Sequence, residues 1–378
     1  MRTLPEVPMF WLRRLPIALV LLLIGVAPGA TQTTPAAVNT NTVETGTLNG
    51  APFHIEIPKQ WNKGLVLYAH GYTVIGAQPP AMTAPRMRAV ADVFLSRGFA
   101  FAASSYSRQG WAVKEGIEDT EALRRYFVSK YGAPAESYIT GHSMGGHITM
   151  ATIERYPESY QGALPMCGPL GAAIDFLNTG VFDMLVTFEA LFPGTLGSPY
   201  EPTAETPNKI KAALAADPAG AARYAQRFGR TPAQVAGALP LYHLIAAELK
   251  QRAGGEPFDN RNRIYAGFGD DAALNRTVKR YAAQPAAREY VRLYATPTGR
   301  ITDPILTIQT TSDALVLGSD VTAYEVPAAL AGTSDRFVAR FVEAEGHCNF
   351  TPAQTGNAFD ALLAWARDGK RPEPGEQK

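Results

Sequence analysis

An excess of charge of either sign is missing from this sequence, and cysteine is scarce. The 378 residues include 35 Lys and Arg against 34 Asp and Glu, a formal net charge of +1 at pH 7. This balance argues against nucleic acid or an anionic membrane surface as the main partner. Two cysteines are too few for a disulfide scaffold or a cysteine zinc cluster. What remains is a neutral, 46% hydrophobic chain, long enough to bury a large core, which is a profile typical of enzymes.

Long apolar runs are also rare, and the clearest one lies at the N-terminus. Arg13 and Arg14 precede the twelve-residue run Leu15–Val26, and the small residues Ala27 and Gly29 follow it. This order predicts a secretory signal peptide over residues 1–30. An uncleaved anchor is the alternative, but a spanning helix needs roughly 20 apolar residues. Residues 31–42 are expected to be a flexible lead-in, and the mature protein to be secreted or periplasmic without a stable membrane span.

Short apolar runs alternate with helical patterns through much of the remaining chain. Val43–Leu48 and Phe53–Ile57 predict a hairpin around Asn49-Gly50. Further strands are predicted at Leu65–Ala69, Phe99–Ala103, Tyr138–Thr140, Ala163–Met166, Pro304–Gln309 and Phe337–Glu343. Helices are predicted at Arg86–Arg97, Gly116–Tyr131, His147–Tyr156 and Pro352–Arg367. The alternation predicts an α/β fold whose central sheet is mostly parallel, with helices on both faces.

The alternation stops between residues 168 and 303, where the chain is rich in alanine and proline. Candidate helices here are Pro207–Ala216, Ala219–Phe228, Thr231–Arg252 and Asp271–Ala283. We predict a core of residues 43–167 and 304–368, a helical cap inserted at 168–303, and a charged tail at 369–378. Aromatic residues of the cap are expected to pack in its own core, with an apolar substrate tunnel as the alternative. The Asp270-Asp271 pair is expected either to cap a helix or to anchor an amino-terminal ammonium group.

The clearest chemical signal is Gly141-His142-Ser143-Met144-Gly145, between a predicted strand and a predicted helix. A serine on a sharp strand-to-helix turn exposes its hydroxyl at the carboxyl end of the sheet. Gly141 and Gly145 remove side chains that would collide at such a turn. Ser143 is therefore the predicted nucleophile, with the two glycines forming the nucleophile elbow.

A nucleophilic serine needs a base, and a loop histidine at a neighbouring strand end suits that role. His347 follows the strand Phe337–Glu343 and precedes the last helix, so it is the predicted base. Asp313, in the loop after Pro304–Gln309, is the predicted carboxylate that orients the imidazole and stabilises its positive charge. Asp320 is the competing candidate, although a solvated loop carboxylate is its more ordinary interpretation.

An oxyanion hole requires two backbone N–H groups beside the serine. The residue after the nucleophile, Met144, is the first predicted donor. The second is Tyr72, because His70-Gly71-Tyr72 follows the strand Leu65–Ala69 and Gly71 permits close approach of the backbone. The Tyr72 ring is a candidate wall of the acyl pocket. An ordinary strand-to-loop turn is the alternative interpretation.

These motifs together resemble the α/β-hydrolase superfamily, over roughly 300 residues and with the cap as an insertion. The resemblance is carried by His70-Gly71-Tyr72, the elbow around Ser143, Thr311-Ser312-Asp313 and Gly346-His347. It implies the α/β-hydrolase fold and serine hydrolase chemistry, which needs no cofactor. Metal catalysis has little support, because no His-Glu-x-x-His motif occurs in the sequence. Secreted esterase-like and aminopeptidase-like members are the most similar in character. The elbow is specific for the fold and much less so for the substrate.

The two cysteines flank the predicted site. Cys167 follows the strand Ala163–Met166, and Cys348 directly follows His347. Both fall at the carboxyl edge of the sheet, so a disulfide is predicted in an oxidising compartment, with two free thiols as the alternative.

The sequence thus predicts a secreted serine hydrolase that acts on a small-molecule ester. An ester leaving group needs less help than an amide, which favours an esterase over the alternative, an exported serine peptidase acting on short peptides. A secreted binding module with a vestigial site is disfavoured, because every catalytic residue type is present. The sequence leaves the oligomeric state open.

Overall fold

The structure is a computed structural model that describes residues 41–78 and 84–378. The predicted signal peptide lies outside these residues, as does almost all of the predicted lead-in. Thr42, the last residue of that lead-in, already belongs to the first strand.

One sheet runs through the described part of the chain. Its strands are β1 (Thr42–Leu48), β2 (Ala51–Ile57), β3 (Gly64–Ala69), β4 (Ala100–Ser104), β5 (Glu136–His142), β6 (Gly162–Met166), β7 (Ile305–Ser312), β8 (Phe337–Glu345) and β9 (Gly375–Glu376). Their spatial order is β1-β2-β4-β3-β5-β6-β7-β8-β9. The β1–β2 and β2–β4 pairs are antiparallel and the other pairs are parallel.

The first two strands form the predicted hairpin. Leu48 pairs with Ala51, so Asn49 and Gly50 make a two-residue turn. Their φ angles are 53° and 85°. A turn with two positive φ angles matches the right-handed twist of the strands, which explains why Asn-Gly occupies it.

Helices cover the sheet and form the insertion between β6 and β7. They are α1 (Pro85–Leu95), α2 (Val113–Tyr131), α3 (Met144–Arg155), α4 (Asp183–Leu191), α5 (Thr206–Ala216), α6 (Pro218–Arg227), α7 (Pro232–Ala253), α8 (Asp271–Thr277), α9 (Pro285–Ala295), α10 (Gly318–Thr322), α11 (Glu325–Ala331) and α12 (Pro352–Asp368). A π-helix spans Ala172–Phe182, and 3₁₀ turns lie at Pro157–Ser159 and Ser334–Arg336. No helix of the described ranges is long and apolar enough to cross a bilayer.

The sheet is buried on both faces by two helical layers. Every residue of β3 is buried, as expected for a strand covered on both sides. Leu65 and Leu67 belong to the hydrophobic cluster that includes Ile148 of α3. Val66 belongs to the opposite cluster, with Phe359 of α12. Successive side chains of a strand point to opposite faces, so one apolar run supplies both cores.

This topology is that of the α/β-hydrolase fold. A mostly parallel sheet begins with an antiparallel hairpin, exchanges the order of β3 and β4, and carries helices on both faces. The turn from β5 into α3 lies near the middle of the sheet, at its carboxyl edge. The predicted fold class is therefore confirmed.

Residues between β6 and β7 fold into a helical layer with its own aromatic packing. The 22-residue helix α7 begins with a capping box in which Thr231 and Gln234 satisfy each other's backbone N–H groups. The rings of Phe188 and Tyr224 meet edge to face at 5.2 Å. Those of Phe182 and Phe258 stack at 4.6 Å. These aromatic residues therefore pack as a core of the insertion.

Two details of the insertion differ from the prediction. The helix expected over Asp271–Ala283 ends at Thr277. Thr277 and Val278 are weak helix formers. Beyond them, Asn260 hydrogen-bonds the backbone of Tyr281 and holds that segment in a non-helical conformation. The helices α4 and α9 had not been predicted. In the Asp270-Asp271 pair, Asp270 caps α8 through the Ala273 N–H, while Asp271 accepts the N–H groups of Gly267 and Phe268.

The C-terminal residues also form more structure than a charged tail. Gly375 and Glu376 form β9, in parallel with Arg340 and Phe341 of β8. The Gln377 N–H donates to the Phe341 carbonyl at 2.8 Å. Backbone hydrogen bonds of this kind depend little on side-chain pattern, so the composition of the tail could not predict the pairing.

Candidate active site

Ser143 lies on a strained turn between β5 and α3. Its φ and ψ angles are 58° and −124°, a conformation that non-glycine residues rarely adopt. A Cβ atom added to Gly141 would lie 2.5 Å from the Ala69 carbonyl oxygen, and one added to Gly145 only 2.0 Å from it. Both glycines are therefore required by the close approach of β3 to the turn, as the elbow motif predicts.

Two short hydrogen bonds join Ser143 to a histidine and then to a carboxylate. The Oγ of Ser143 lies 2.7 Å from Nε2 of His347. On the other side of the ring, Nδ1 of His347 lies 2.7 Å from Oδ2 of Asp313. A carboxylate can only accept, so Nδ1 donates to Asp313 and Nε2 is left to accept the Ser143 hydroxyl proton. The structure thus brings together three predicted site residues from three strand ends.

The Asp313 carboxylate is held as an anion. Burial favours its neutral form, but the hydrogen bond and charge of His347 and the backbone N–H groups of Val316 and Leu315 outweigh burial and hold its pKa below its ordinary value. The Leu315 and Val316 donors lie 2.8 and 3.1 Å from Oδ1. Asp313 is thus suited to fix the imidazole and to stabilise its positive charge.

The other candidates occupy structural positions. The competing carboxylate, Asp320, accepts the Leu317 N–H at 2.8 Å near the start of α10. The other histidines have hydrogen-bond partners of their own: His54 with Glu56, His70 with the Gly71 carbonyl, His142 with the Tyr68 hydroxyl, His147 with the Tyr294 carbonyl and His243 with the Ser198 carbonyl. Within residues 41–78 and 84–378, no group of three His, Cys, Asp or Glu side chains could hold a metal ion.

The predicted oxyanion donors lie on opposite sides of Ser143 in the chain. Met144 is the first residue of α3, and the first N–H groups of a helix have no acceptor within it. A Cβ atom on Gly71 would lie 3.2 Å from the His142 carbonyl and 3.3 Å from the Ser143 Cβ, so the loop of residues 70–72 packs against the serine. Tyr72 follows directly, and it lines the same cavity as Ser143. The donor roles of Met144 and Tyr72 remain predictions.

A buried carboxylate from the insertion holds Tyr72, and the sequence had not indicated it. Oε1 of Glu248, on α7, accepts the Tyr72 hydroxyl at 2.7 Å, and Oε2 accepts the Trp111 N–H at 2.7 Å. Burial raises the pKa of Glu248, while these two hydrogen bonds oppose the rise. The one available signal was an acidic residue in the otherwise apolar segment Leu244–Leu249.

The predicted disulfide between Cys167 and Cys348 is present. The two residues are 181 positions apart in the chain, and their Cα atoms are 5.4 Å apart. Cys167 directly follows β6, at the base of the insertion, and Cys348 follows His347. The Cys348 sulfur lies 3.4 Å from Nε2 of His347. The bond therefore ties the histidine loop to the strand end from which the insertion begins.

Ser143 opens into a cavity of about 330 Å³. It is lined by Tyr68, His70, Gly71, Tyr72, Thr73, Ala84, Arg86, Met87, Val90, His142, Ser143, Leu241, Leu315, His347 and Cys348. Leu241 comes from α7, so the insertion contributes to the wall. Among these lining residues Arg86 is the only one of the types Lys, Arg, Asp and Glu.

The chain is similar to several solved structures at low sequence identity. The chain is similar to Est1E from Butyrivibrio proteoclasticus, with a TM-score of 0.43 and 12% identity over 86% of this chain and 98% of that one. It is also similar to the Pyrococcus furiosus esterase Pf2001, with a TM-score of 0.46 and 13% identity over 86% and 90%. A puromycin hydrolase matches with a TM-score of 0.46 and 15% identity over 88% and 40%. No protein-family model and no curated protein matches the sequence.

Proposed function

We propose that this protein is a secreted or periplasmic serine hydrolase that cleaves small carboxylic esters through an acyl-enzyme intermediate. The observation that carries the proposal is the chain of hydrogen bonds from Ser143 through His347 to Asp313. Ser143 lies on the strained turn between β5 and α3, which presents its hydroxyl to His347. The basic and apolar N-terminal sequence and the Cys167–Cys348 disulfide support export to an oxidising compartment.

In the first half of the reaction, Ser143 Oγ attacks the carbonyl carbon while Nε2 of His347 takes its proton. Asp313 stabilises the resulting imidazolium through Nδ1. The carbonyl oxygen becomes an oxyanion that accepts the N–H groups of Met144 and Tyr72, at the positive end of the α3 dipole. The intermediate then collapses, and the departing alkoxide takes the proton from Nε2.

In the second half, water replaces the alcohol. Nε2 of His347 removes a proton from the water as its oxygen attacks the acyl carbon, and the same two N–H groups hold the second oxyanion. Collapse of that intermediate breaks the bond to Ser143 Oγ, which regains its proton from Nε2. Each step uses only side chains and backbone groups of this chain, together with water.

The alternative, an aminopeptidase-like activity on short peptides, has less support from the insertion. Such an enzyme needs a carboxylate to bind the substrate ammonium group. Asp270 and Asp271, the acidic pair considered for that role, already accept backbone N–H groups around α8. The residues lining the cavity include a cation and no carboxylate. A neutral or anionic ester suits this wall better than a cationic peptide terminus.

The proposal is tested by a paired assay on the purified protein. p-Nitrophenyl esters from acetate to palmitate are compared with aminoacyl-p-nitroanilides, and Ser143→Ala serves as the control for background hydrolysis. We expect rapid turnover of the short esters, which a cavity of about 330 Å³ can accommodate, and little cleavage of the anilides. Comparable or faster cleavage of the anilides would replace the esterase with a peptidase. Equal rates in the Ser143→Ala variant would overturn the mechanism.

A further inference from the structure

Arg86 is a charged residue at the Ser143 cavity for which the proposed mechanism has no use. It is the second residue of α1 and its side chain is exposed, yet it lines the cavity together with Ser143, His142 and His347. Two other arginines in this region are paired differently. Arg88 contacts Glu56 and Asp92, whereas Arg97 contacts Asp360. One arginine of α1, unpaired within the described residues, thus lines the cavity.

Arg86 has no acidic partner in the part of the chain that the structure describes. Across residues 41–78 and 84–378, Arg86 takes part in no hydrogen bond and no ion pair with another side chain. Residues 79–83, which precede α1, have the sequence PPAMT and contain neither Asp nor Glu. An arginine without a carboxylate partner, beside a cavity whose lining has no acid, is available to an anion from outside the chain.

The positive charge of Arg86 acts on His142, the residue before the nucleophile. Nδ1 of His142 shares a hydrogen bond with the Tyr68 hydroxyl, at 3.1 Å. Burial lowers the pKa of His142 to about 3, and the Arg86 charge acts in the same direction. The neutral His142 therefore adds no second cation to the wall beside Arg86.

We infer that the natural substrates are esters that carry a carboxylate, and that Arg86 is the residue that binds it. The inference rests on the proposed ester hydrolysis at Ser143. A guanidinium presents two parallel N–H donors that match the two oxygens of a carboxylate, and such charge-assisted bonds are stronger than neutral ones. The carboxylate would lie at the Arg86 side of the cavity while the ester carbonyl reaches Ser143. An exposed ion pair is weak, so selectivity rather than tight binding is expected.

The test compares, in the same enzyme, anionic and neutral esters that differ by a single carboxylate group. One pair, mono-p-nitrophenyl glutarate and p-nitrophenyl butyrate, places the carboxylate in the acyl half. The other pair, 4-carboxyphenyl butyrate and phenyl butyrate, places it in the alcohol half. The quantity measured is the ratio of kcat/KM for the anionic ester to that for the neutral ester, in each pair.

In Arg86→Gln we expect this ratio to fall about fivefold in at least one pair relative to the wild type, and in Arg86→Glu to fall further. The fall should shrink as salt is raised from 0.05 to 0.5 M, because screening weakens exposed ion pairs. Arg108→Gln is the matched control, since Arg108 is also exposed but does not line the cavity. Its ratios should equal those of the wild type.

Ratios that stay unchanged in Arg86→Gln for both pairs would overturn the inference, as would an equal fall in Arg108→Gln. Failure of the proposed function gives a different result. In that case the wild type hydrolyses none of the four esters faster than Ser143→Ala does, and the inference falls with it. If the neutral esters are hydrolysed while the ratios stay the same, only the role of Arg86 is wrong.

Discussion

The hydroxyl of Tyr72 donates to Oε1 of Glu248 at 2.7 Å, which links the loop beside Ser143 to the helical insertion. The two residues are 176 positions apart in the chain. Because Glu248 also accepts the Trp111 N–H, its carboxylate is held from a second side and provides a fixed point for the Tyr72 ring. This contact gives the insertion a means of orienting the backbone that is predicted to bind the oxyanion.

Tyr72→Phe should therefore lower kcat about fivefold and leave KM within about twofold. The ring remains and the fold is kept, but the loop loses the hydrogen bond that orients it. A boronic acid that mimics the tetrahedral intermediate should bind more weakly by a similar factor, which a purely structural change would not produce. The measurements are steady-state kinetics, boronate inhibition and the melting temperature.

The partner variant tests whether the effect belongs to this hydrogen bond. Once Tyr72→Phe is present, Glu248→Gln should cause a smaller further loss of kcat than it causes alone, because the two residues act through one contact. Glu115→Gln is the control: Glu115 pairs with Arg252 of α7 at 2.8 Å and thus also joins the insertion to the core, through a contact that includes neither Tyr72 nor Glu248. Additive losses, or the same fall in kcat for Glu115→Gln, would contradict the positioning role.

Ser143→Ala should reduce ester turnover by at least about 10³-fold, because the acyl-enzyme can no longer form. The melting temperature should not fall by more than a few degrees, since the hydroxyl contributes one hydrogen bond and alanine fits the same turn. A fluorophosphonate probe should label the wild type and fail to label the variant. Labelling at another residue would place the nucleophile elsewhere.

The lowered pKa of Asp313 predicts that the free energy of unfolding decreases as the pH falls into the acidic range. Its pKa in the folded protein is lower than the ordinary value of 3.8, so the folded state binds this proton less readily than the unfolded state. The stabilisation is fully present above about pH 4 and is lost as pH falls through the lower, folded pKa. Asp313→Asn removes it.

The free energy of unfolding should accordingly differ most between wild type and Asp313→Asn near neutral pH. The difference should persist at pH 3.8 and narrow only below it. Denaturant unfolding at a series of pH values measures this directly. A difference that stays constant from neutral pH to well below pH 3.8 would mean that the carboxylate keeps its ordinary pKa in the folded protein.

Reduction of the Cys167–Cys348 disulfide should impair catalysis before it unfolds the protein. The bond joins residues 181 positions apart in the chain, and for a loop of that length the chain-entropy model allows a stabilisation of up to about 5 kcal/mol. It also anchors the residue next to His347. Dithiothreitol should therefore lower kcat at temperatures where the far-UV spectrum is still native. A Cys167→Ser/Cys348→Ser variant should show the lower kcat without reductant and no response to it. Unchanged rate and melting temperature on reduction would dismiss the idea.

Gly145 provides a steric test of the turn at Ser143. A Cβ atom there would lie 2.0 Å from the Ala69 carbonyl oxygen, which is backbone and cannot rotate away. Gly145→Ala should thus abolish activity and lower stability by several kcal/mol, because β3 or the turn must shift. Gly237→Ala is the control: it lies within α7 with no atom within 4 Å of the added Cβ, so it should be neutral or stabilising by up to about 1 kcal/mol. Normal activity in Gly145→Ala would contradict the packing described for the turn.

Much of the core could be predicted from the sequence, and several candidate site residues could be proposed from it, because their determinants are local. The Asn49-Gly50 hairpin, the fully buried β3 and the glycines around Ser143 each follow from a few adjacent residues whose backbone angles or burial are narrowly constrained. His347 and Asp313 could be proposed because parallel strands end at one edge of the sheet, so their loops meet there. The ends of the helices in the insertion were harder to predict from the sequence. Helix α8, for example, ends at Thr277, earlier than its sequence pattern indicates.

Chain order and composition determined the sheet, the elbow and the chemical types available at the site. Only the tertiary structure decided which distant groups meet: the Tyr72 hydroxyl with Glu248, the exposed Arg86 with the Ser143 cavity, and the C-terminal Gly375–Glu376 with β8. Backbone conformation responds mainly to neighbouring residues. Contacts between distant residues depend instead on how whole helices and strands pack. Many distant pairs of the same residue types would fit the sequence equally well. The physical reason is that conformational propensities act over a few neighbouring residues, whereas packing selects one set of contacts among all the distant pairs that the chain could form.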